Sequence, residues 1–215
     1  INSRLPNISF WKGKNVLITG HTGFKGSWLA LWLLHMGANV SGIALLPEKR
    51  PNLFEGLSLS PRLNNFLFDI RNPEQLKIAI SEIRPEIVFH LAAQPLVLKS
   101  YQDPRLTWET NVMGTLYLLE SLKLLVNKCA AVMITTDKVY RNQECLYGYR
   151  ENDPLGGHDP YSSSKAACEL AINSWRLSFC GNLPAQTPHL SIASARAGNV
   201  IGGGDWSDNR VIPDL

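Results

Sequence analysis

The run Asn15-Val16-Leu17-Ile18-Thr19-Gly20-His21-Thr22-Gly23-Phe24-Lys25-Gly26 constrains this chain more than any other segment. A β-like apolar stretch feeds straight into a glycine-rich loop. An apolar helical pattern from about Ser27 to Met36 follows, with Gly37 placed as its C-cap. Strand, glycine loop and helix in this order form the context of a dinucleotide fingerprint. Gly20 permits the tight turn, Gly23 lets backbone approach a pyrophosphate, and Gly26 allows close helix packing. The phosphates then fall at the positive helix N-terminus. The spacing is GxxGxxG rather than GxGxxG, so a plain glycine turn is the competing reading. Lys25 is expected to face solvent and His21 to line the loop.

Short apolar runs alternate with helical patterns along the rest of the chain. Strands are expected at Asn39 to Leu45, Asn65 to Phe68, Ile87 to Leu91, Cys129 to Thr135 and Leu190 to Ala195. Helices are expected near Pro73 to Arg84, Pro104 to Leu125 and Tyr161 to Phe179, with Pro73 and Pro104 in first helical turns. Nearly continuous apolar strands separated by helices predict a Rossmann-like, doubly wound α/β fold: a parallel sheet with helices on both faces. With 215 residues, 45% of them hydrophobic, the chain can bury a full core. Residues 1–195 read as the dinucleotide-binding domain and 196–215 as the start of a further region.

Composition narrows the function classes. A net charge of +3, with 18% charged residues and no Lys/Arg block, argues against a nucleic-acid surface. The longest apolar run, Trp28 to Met36, is too short to span a bilayer, so no membrane role is expected. No signal-peptide pattern is present, and the start at Ile1 without methionine leaves room for preceding residues. Cys129, Cys145, Cys168 and Cys180 show no CxxC spacing and read as reduced thiols in a cytoplasmic protein. The five histidines show no metal-ligand spacing, so no metal site is expected.

Tyr161-Ser162-Ser163-Ser164-Lys165 carries the chemistry. Residues at this spacing share one helix face. There an ammonium favours the ionised form of a phenol whose ordinary pKa is about 10. A phenolate so tuned is a general base for an alcohol proton, and the glycine loop can hold the hydride acceptor such a base needs. Preference for NAD or NADP stays open. The acidic residue usual at the end of the second strand is absent, Glu48 lies late for that role, and Arg50 could meet a 2′-phosphate. Asp69, at the third strand end, could accept from the adenine amino group or simply be solvated.

Thr19-Gly20-x-x-Gly23-x-x-Gly26, Asp69-Ile70, Leu91-Ala92-Ala93 and Tyr161-x-x-x-Lys165 together resemble the extended short-chain dehydrogenase/reductase superfamily. Gly20 to Trp28, Gly148 to Asn152, Asp159 to Ser162 and Arg196 to Trp206 resemble, more narrowly, its CDP-glucose 4,6-dehydratase family. Members of that family continue well past the point where this chain stops, so it looks like the cofactor-binding portion of a longer enzyme of deoxysugar biosynthesis. The resemblance implies tightly held NAD, bound through Gly20, Thr22, Gly23, Phe24, Gly26, Asp69, Ile70, Leu91, Ala92, Ala93 and Gln94 with Tyr161 and Lys165.

The resemblance also implies a reaction. Tyr161 would take the proton of the sugar C4 hydroxyl as hydride passes to NAD, water would leave across C5 and C6, and the hydride would return to C6. Thr136 would hydrogen-bond the C4 oxygen, and Asp137 would protonate the leaving hydroxyl. Lys138 stands where related dTDP-glucose dehydratases carry glutamate, as in the CDP-glucose branch; whether Lys138 or Tyr161 moves the C5 proton stays open. Asn199 and Arg196 match a substrate-contacting motif, and Asn111 an asparagine that supports the site. Trp108 and Trp175 read as core or interface residues, and the helices from Pro104 and Tyr161 as a homodimer bundle. A sugar-nucleotide 4-epimerase and a non-catalytic dinucleotide-binding module are the rival readings.

Overall fold

The computed structural model describes residues 7–48, 51–181 and 186–208. The elements run α1 (Ile8–Trp11), β1 (Asn15–Thr19), α2 (Phe24–His35), β2 (Asn39–Ala44), α3 (Leu53–Gly56), β3 (Asn64–Leu67), α4 (Pro73–Ile83) and β4 (Ile87–His90). There follow α5 (Val97–Gln102), α6 (Pro104–Trp108), a π-helical turn (Glu109–Met113), α7 (Gly114–Lys123), β5 (Cys129–Ile134), α8 (Pro160–Phe179) and β6 (Leu190–Ala195). All strand pairings in the sheet are parallel, in the order β3-β2-β1-β4-β5-β6. This is the doubly wound arrangement that the alternating pattern predicts.

Strand β1 explains why both faces are covered. Successive side chains of a strand point to opposite faces, yet Val16, Leu17 and Ile18 are all fully buried. Leu17 joins a core with Leu76 and Ile80 of α4, Leu118 and Leu122 of α7, and Ile172 of α8. Val16 and Ile18 join a second core with Ala30 and Leu33 of α2 and Phe54 of α3. The sheet order reverses between β1 and β4, where Thr19 stands in register with His90. Ligands of open parallel sheets bind outside the carboxyl ends of strands at such a switch point.

Helix ends follow local chemistry. Asn72, Asp103 and Asp159 accept N–H bonds from Gln75, Leu106 and Ser162 at the starts of α4, α6 and α8, and proline follows each. Such caps contribute about 1 kcal/mol apiece.

The sequence expectation departs from the structure in two places that matter for the site. Helix α2 begins at Phe24, so Gly26 lies within its first turn. The helix expected without interruption from Pro104 to Leu125 is instead α6 and α7 joined by the π-helical turn. Such a turn inserts an extra residue and re-aims side chains. Here Asn111 is buried within it, and Gly114 immediately follows against the Ile70 side chain, where a Cβ would come within 2.6 Å.

Candidate active site at the switch point

The glycine loop is held from both neighbouring strands. Gly20 donates its N–H to Ile43 O at 2.8 Å, and its φ of +77° lies in the left-handed region. A Cβ on Gly20 would meet Ala92 N at 2.8 Å, and one on Gly26 would meet Gly20 O at 2.1 Å. Gly23 differs: among the described residues its Cβ would touch only Gly20 O, at 3.4 Å. The loop therefore stays open above Gly23, which caps α2 without any side-chain hydrogen bond. First-turn N–H groups of a helix lack intrahelical acceptors and suit a phosphate. These residues fit a dinucleotide pyrophosphate. Thr22 donates to Leu45 O at 2.8 Å, Phe24 is half-buried beside them, and Lys25 is exposed.

Beneath the loop runs a buried polar chain. Thr115 Oγ1 donates to Asn111 O at 2.6 Å, so it accepts from His90 Nε2 at 3.0 Å. Thr19 Oγ1 accepts the Ala92 N–H at 3.2 Å and donates to His90 Nδ1 at 2.7 Å. His90 is thus a neutral imidazole protonated at Nε2. Burial pushes its pKa down to about 3, with the Lys165 ammonium adding to the effect. Gln94 donates its N–H to Asn111 Oδ1 at 2.8 Å, and Asn111 Nδ2 donates to Ser164 Oγ at 2.9 Å. Ser164 in turn donates to Tyr161 O at 2.7 Å. The loop Leu91-Ala92-Ala93-Gln94 is tied in this way to both the glycine turn and the helix bearing Tyr161.

Tyr161 sits in the first turn of α8, its N–H donating to Ser100 Oγ at 3.1 Å. Lys165, one turn on, is buried and donates from Nζ to Ile134 O at 3.4 Å. Burial drives its pKa down, and Lys25 adds to the lowering, while Cys168 and Glu169 oppose it. The 3-10 turn Asp137–Val139 packs on α8. Thr136 is buried and donates to Asp137 Oδ1 at 3.1 Å, and Lys138 Nζ lies 3.8 Å from the same oxygen. The Asp137 and Lys138 side chains are partly open to solvent.

The remaining candidates divide. Asn199 is exposed, and Arg196 is committed to Glu169 at 3.1 Å and to Glu151 O at 3.0 Å. Asp69 holds Arg71 through both carboxylate oxygens, and the Arg71 hydrogen bonds keep its pKa below the ordinary value despite partial burial. Ile70 is buried beside it. Glu48 lies 4.0 Å from Lys99, and Arg50 lies outside the described residues. Trp108 is largely exposed on α6, whereas Trp175 packs against the core and against Phe179. Trp28 Nε1 donates to Gly203 O at 2.9 Å and Gly202 lies against Phe24, so the chain at Gly202 and Gly203 folds back onto the start of α2. His21, expected to line the loop, is buried, bonded through Nε2 to Asn65 Oδ1 at 2.7 Å.

Two supporting residues, His90 and Glu169, have no place in the sequence motifs. His90 ends an apolar strand, with nothing local to distinguish it from a core position. Glu169 did carry a signal, since its spacing from Lys165 puts both on one face of α8.

Residues 17–187 match the family model of GDP-mannose 4,6 dehydratase. The chain is 53% identical over 207 residues to CDP-glucose 4,6-dehydratase of Salmonella typhimurium, covering 96% of this chain and 58% of that one. It is 34% identical over 172 residues to CDP-paratose 2-epimerase of Salmonella typhi, covering 72% and 50%. Among solved structures, a dTDP-glucose 4,6-dehydratase double mutant, DesIV of Streptomyces venezuelae with NAD and DAU bound, superposes with a TM-score of 0.77. The identity there is 26%, over 92% of this chain and 59% of that one. The chain thus spans between half and three-fifths of the length of these two relatives.

Proposed function

We propose, from the premise that this chain belongs to the GDP-mannose 4,6 dehydratase family, that it is the cofactor-binding and catalytic part of a CDP-glucose 4,6-dehydratase. The reaction converts CDP-D-glucose to CDP-4-dehydro-6-deoxy-D-glucose with loss of water. The observation that carries this reading is the turn bearing Thr136, Asp137 and Lys138 packed on the helix of Tyr161 and Lys165, in a chain 53% identical to a CDP-glucose 4,6-dehydratase. An epimerase has no need of an acid at Asp137.

The glycine cradle, with Ala92, Ala93 and Gln94 beside it, would hold NAD. NAD held there would supply a reversible hydride acceptor for C4 and donor for C6, with no net redox change. Tyr161 takes the C4 hydroxyl proton, and the Lys165 ammonium favours the phenolate that does so. The Thr136 hydroxyl orients the C4 oxygen. The resulting ketone acidifies the C5 hydrogen, and Asp137 protonates the C6 hydroxyl as it leaves. Lys138, beside Asp137 at 3.8 Å, is assigned to stabilising the enolate charge; Tyr161, after releasing the C4 hydroxyl proton to solvent, takes the C5 proton and returns it to C5 as hydride reaches C6. Asn199 is assigned to the sugar nucleotide.

Exposed apolar side chains on α5, α6 and α8, among them Leu98, Tyr101, Trp108, Leu170 and Leu177, support a homodimer built on these helices. A cytoplasmic place in deoxysugar and O-antigen biosynthesis fits a sugar-nucleotide substrate and free thiols. No helix among the described residues is long and apolar enough to cross a membrane.

Isotope tracing tests the assignment. The full-length protein incubated with CDP-glucose deuterated at C4 should yield product with deuterium at C6. An epimer that keeps deuterium at C4, or no turnover despite bound NAD, would overturn it.

A further inference from the structure

Glu169 has no part in the chemistry described above, yet it is one of the best-connected buried carboxylates of the described residues. It lies on α8 one turn beyond Lys165, 5% exposed. Oε1 accepts the hydroxyl of Thr135, at the end of β5 and directly before Thr136 and Asp137. Oε2 accepts from Ser194 at 2.9 Å on β6 and from Arg196 at 3.1 Å, where the segment toward Asn199 begins. The Arg196 guanidinium also lies over the Tyr140 ring at 4.8 Å.

We infer that Glu169 is a positioning residue of the active site: its carboxylate clamps the ends of β5 and β6 onto the helix that presents Tyr161 and Lys165, and provides a counter-charge for the Lys165 ammonium. The inference rests on the proposed dehydratase reading for its catalytic consequence, and on geometry alone for the clamp. One side chain thereby sets the spacing between the Tyr161 base and the Asp137 acid, which reside on different elements. Burial alone would raise the Glu169 pKa; hydrogen bonds from Arg196, Thr135 and Ser194 outweigh it and keep the carboxylate ionised. Charged and titratable groups that act on Lys165 among the described residues include Lys25 of α2, His90 of β4, and Cys168 and Glu169 of its own helix, and Tyr161 lies one turn back on the same helix. Of these Glu169 is an anion and Lys25 a cation, so loss of Glu169 leaves the buried ammonium facing Lys25, and Arg196 without its carboxylate partner.

The test follows Lys165 itself. In the full-length protein with 13C-labelled lysine, the Lys165 resonance is identified by its absence in Lys165→Met and titrated by NMR. Glu169→Gln, of the same size, should lower the Lys165 pKa, and should move the alkaline limb of the kcat profile down with it. Glu169→Asp keeps the charge on a shorter arm; it should leave the Lys165 pKa in place while slowing turnover about tenfold. Glu169→Met, which removes the charge and keeps the bulk, is a second route should Glu169→Gln not fold; it should lower the Lys165 pKa in the same direction. An unchanged Lys165 pKa in Glu169→Gln or Glu169→Met would overturn the inference. If the unaltered protein fails to turn over CDP-glucose, the dehydratase reading falls, and the Lys165 titration still decides the role of Glu169.

Discussion

Gly20 and Ala92 are in backbone contact across the switch point: a Cβ on Gly20 would lie 2.8 Å from the Ala92 nitrogen. The turn into α2 and the strand-end loop after β4 therefore leave no room for a side chain between them. Gly20→Ala should destabilise the protein by about 2 kcal/mol or more, since the left-handed φ and the clash act together. Gly23→Ala should melt normally, because its φ of −78° is ordinary and its Cβ meets little. Its defect should be confined to dinucleotide affinity, read by equilibrium binding. A melting loss in Gly23→Ala equal to that in Gly20→Ala would refute this division of labour.

Tyr161→Phe should abolish turnover while NAD remains bound, because the cradle lies on other elements. Asp137→Asn should slow water loss more than C4 oxidation. Reduced cofactor should then accumulate at its near-ultraviolet absorbance during a single turnover. Absence of that accumulation would remove Asp137 from the acid role.

Asn111 joins Gln94 on one side to Ser164 on the other. Asn111→Ala leaves the buried Gln94 N–H without its acceptor and should cost about 2 kcal/mol in urea unfolding. Asn111→Asp keeps that acceptor but loses both donations, so it should lie between alanine and the native residue.

Acid should weaken the fold through His90. Its folded pKa, about 3, lies below the ordinary 6.5 of an unfolded chain. Between these values the unfolded state binds the proton and the folded state does not. Stability is therefore unaffected above pH 6.5 and declines as pH falls below it, by about 1.4 kcal/mol per unit. His21, whose pKa burial also lowers, acts in the same direction. His90→Gln should be less stable at pH 7, where hydrogen bonds are lost, yet show a shallower decline to pH 5. Equal slopes for the two proteins would sink this account.

The strand, glycine loop and helix were legible because each rests on local sequence: apolar residues, a left-handed glycine and a helical repeat. Tyr161 and Lys165 were legible for the same reason, as a spacing on one helix. The π-helical turn was not, since Pro104 to Leu125 reads as continuous helix and only tertiary packing of Asn111 and Gly114 selects the extra residue. The Glu169 partner of Arg196 was not legible, because it lies on another element and is brought to Arg196 by the packing of α8 on β6. The role of His90 depended on Thr19 and Thr115, far away in sequence.

The strand order also bears on how the molecule comes to be built. A chain emerges from the ribosome N-terminus first, so β1, α2, β2 and β3 are available while β4 is still being made. Gly20 has no Ala92 to meet until β4 docks on the other side of β1. The clamp on Glu169 waits longer, because its partners Ser194 and Arg196 belong to or follow the last strand of the sheet. The elements of the cradle are thus all synthesised before the residues that lock the base and acid into register.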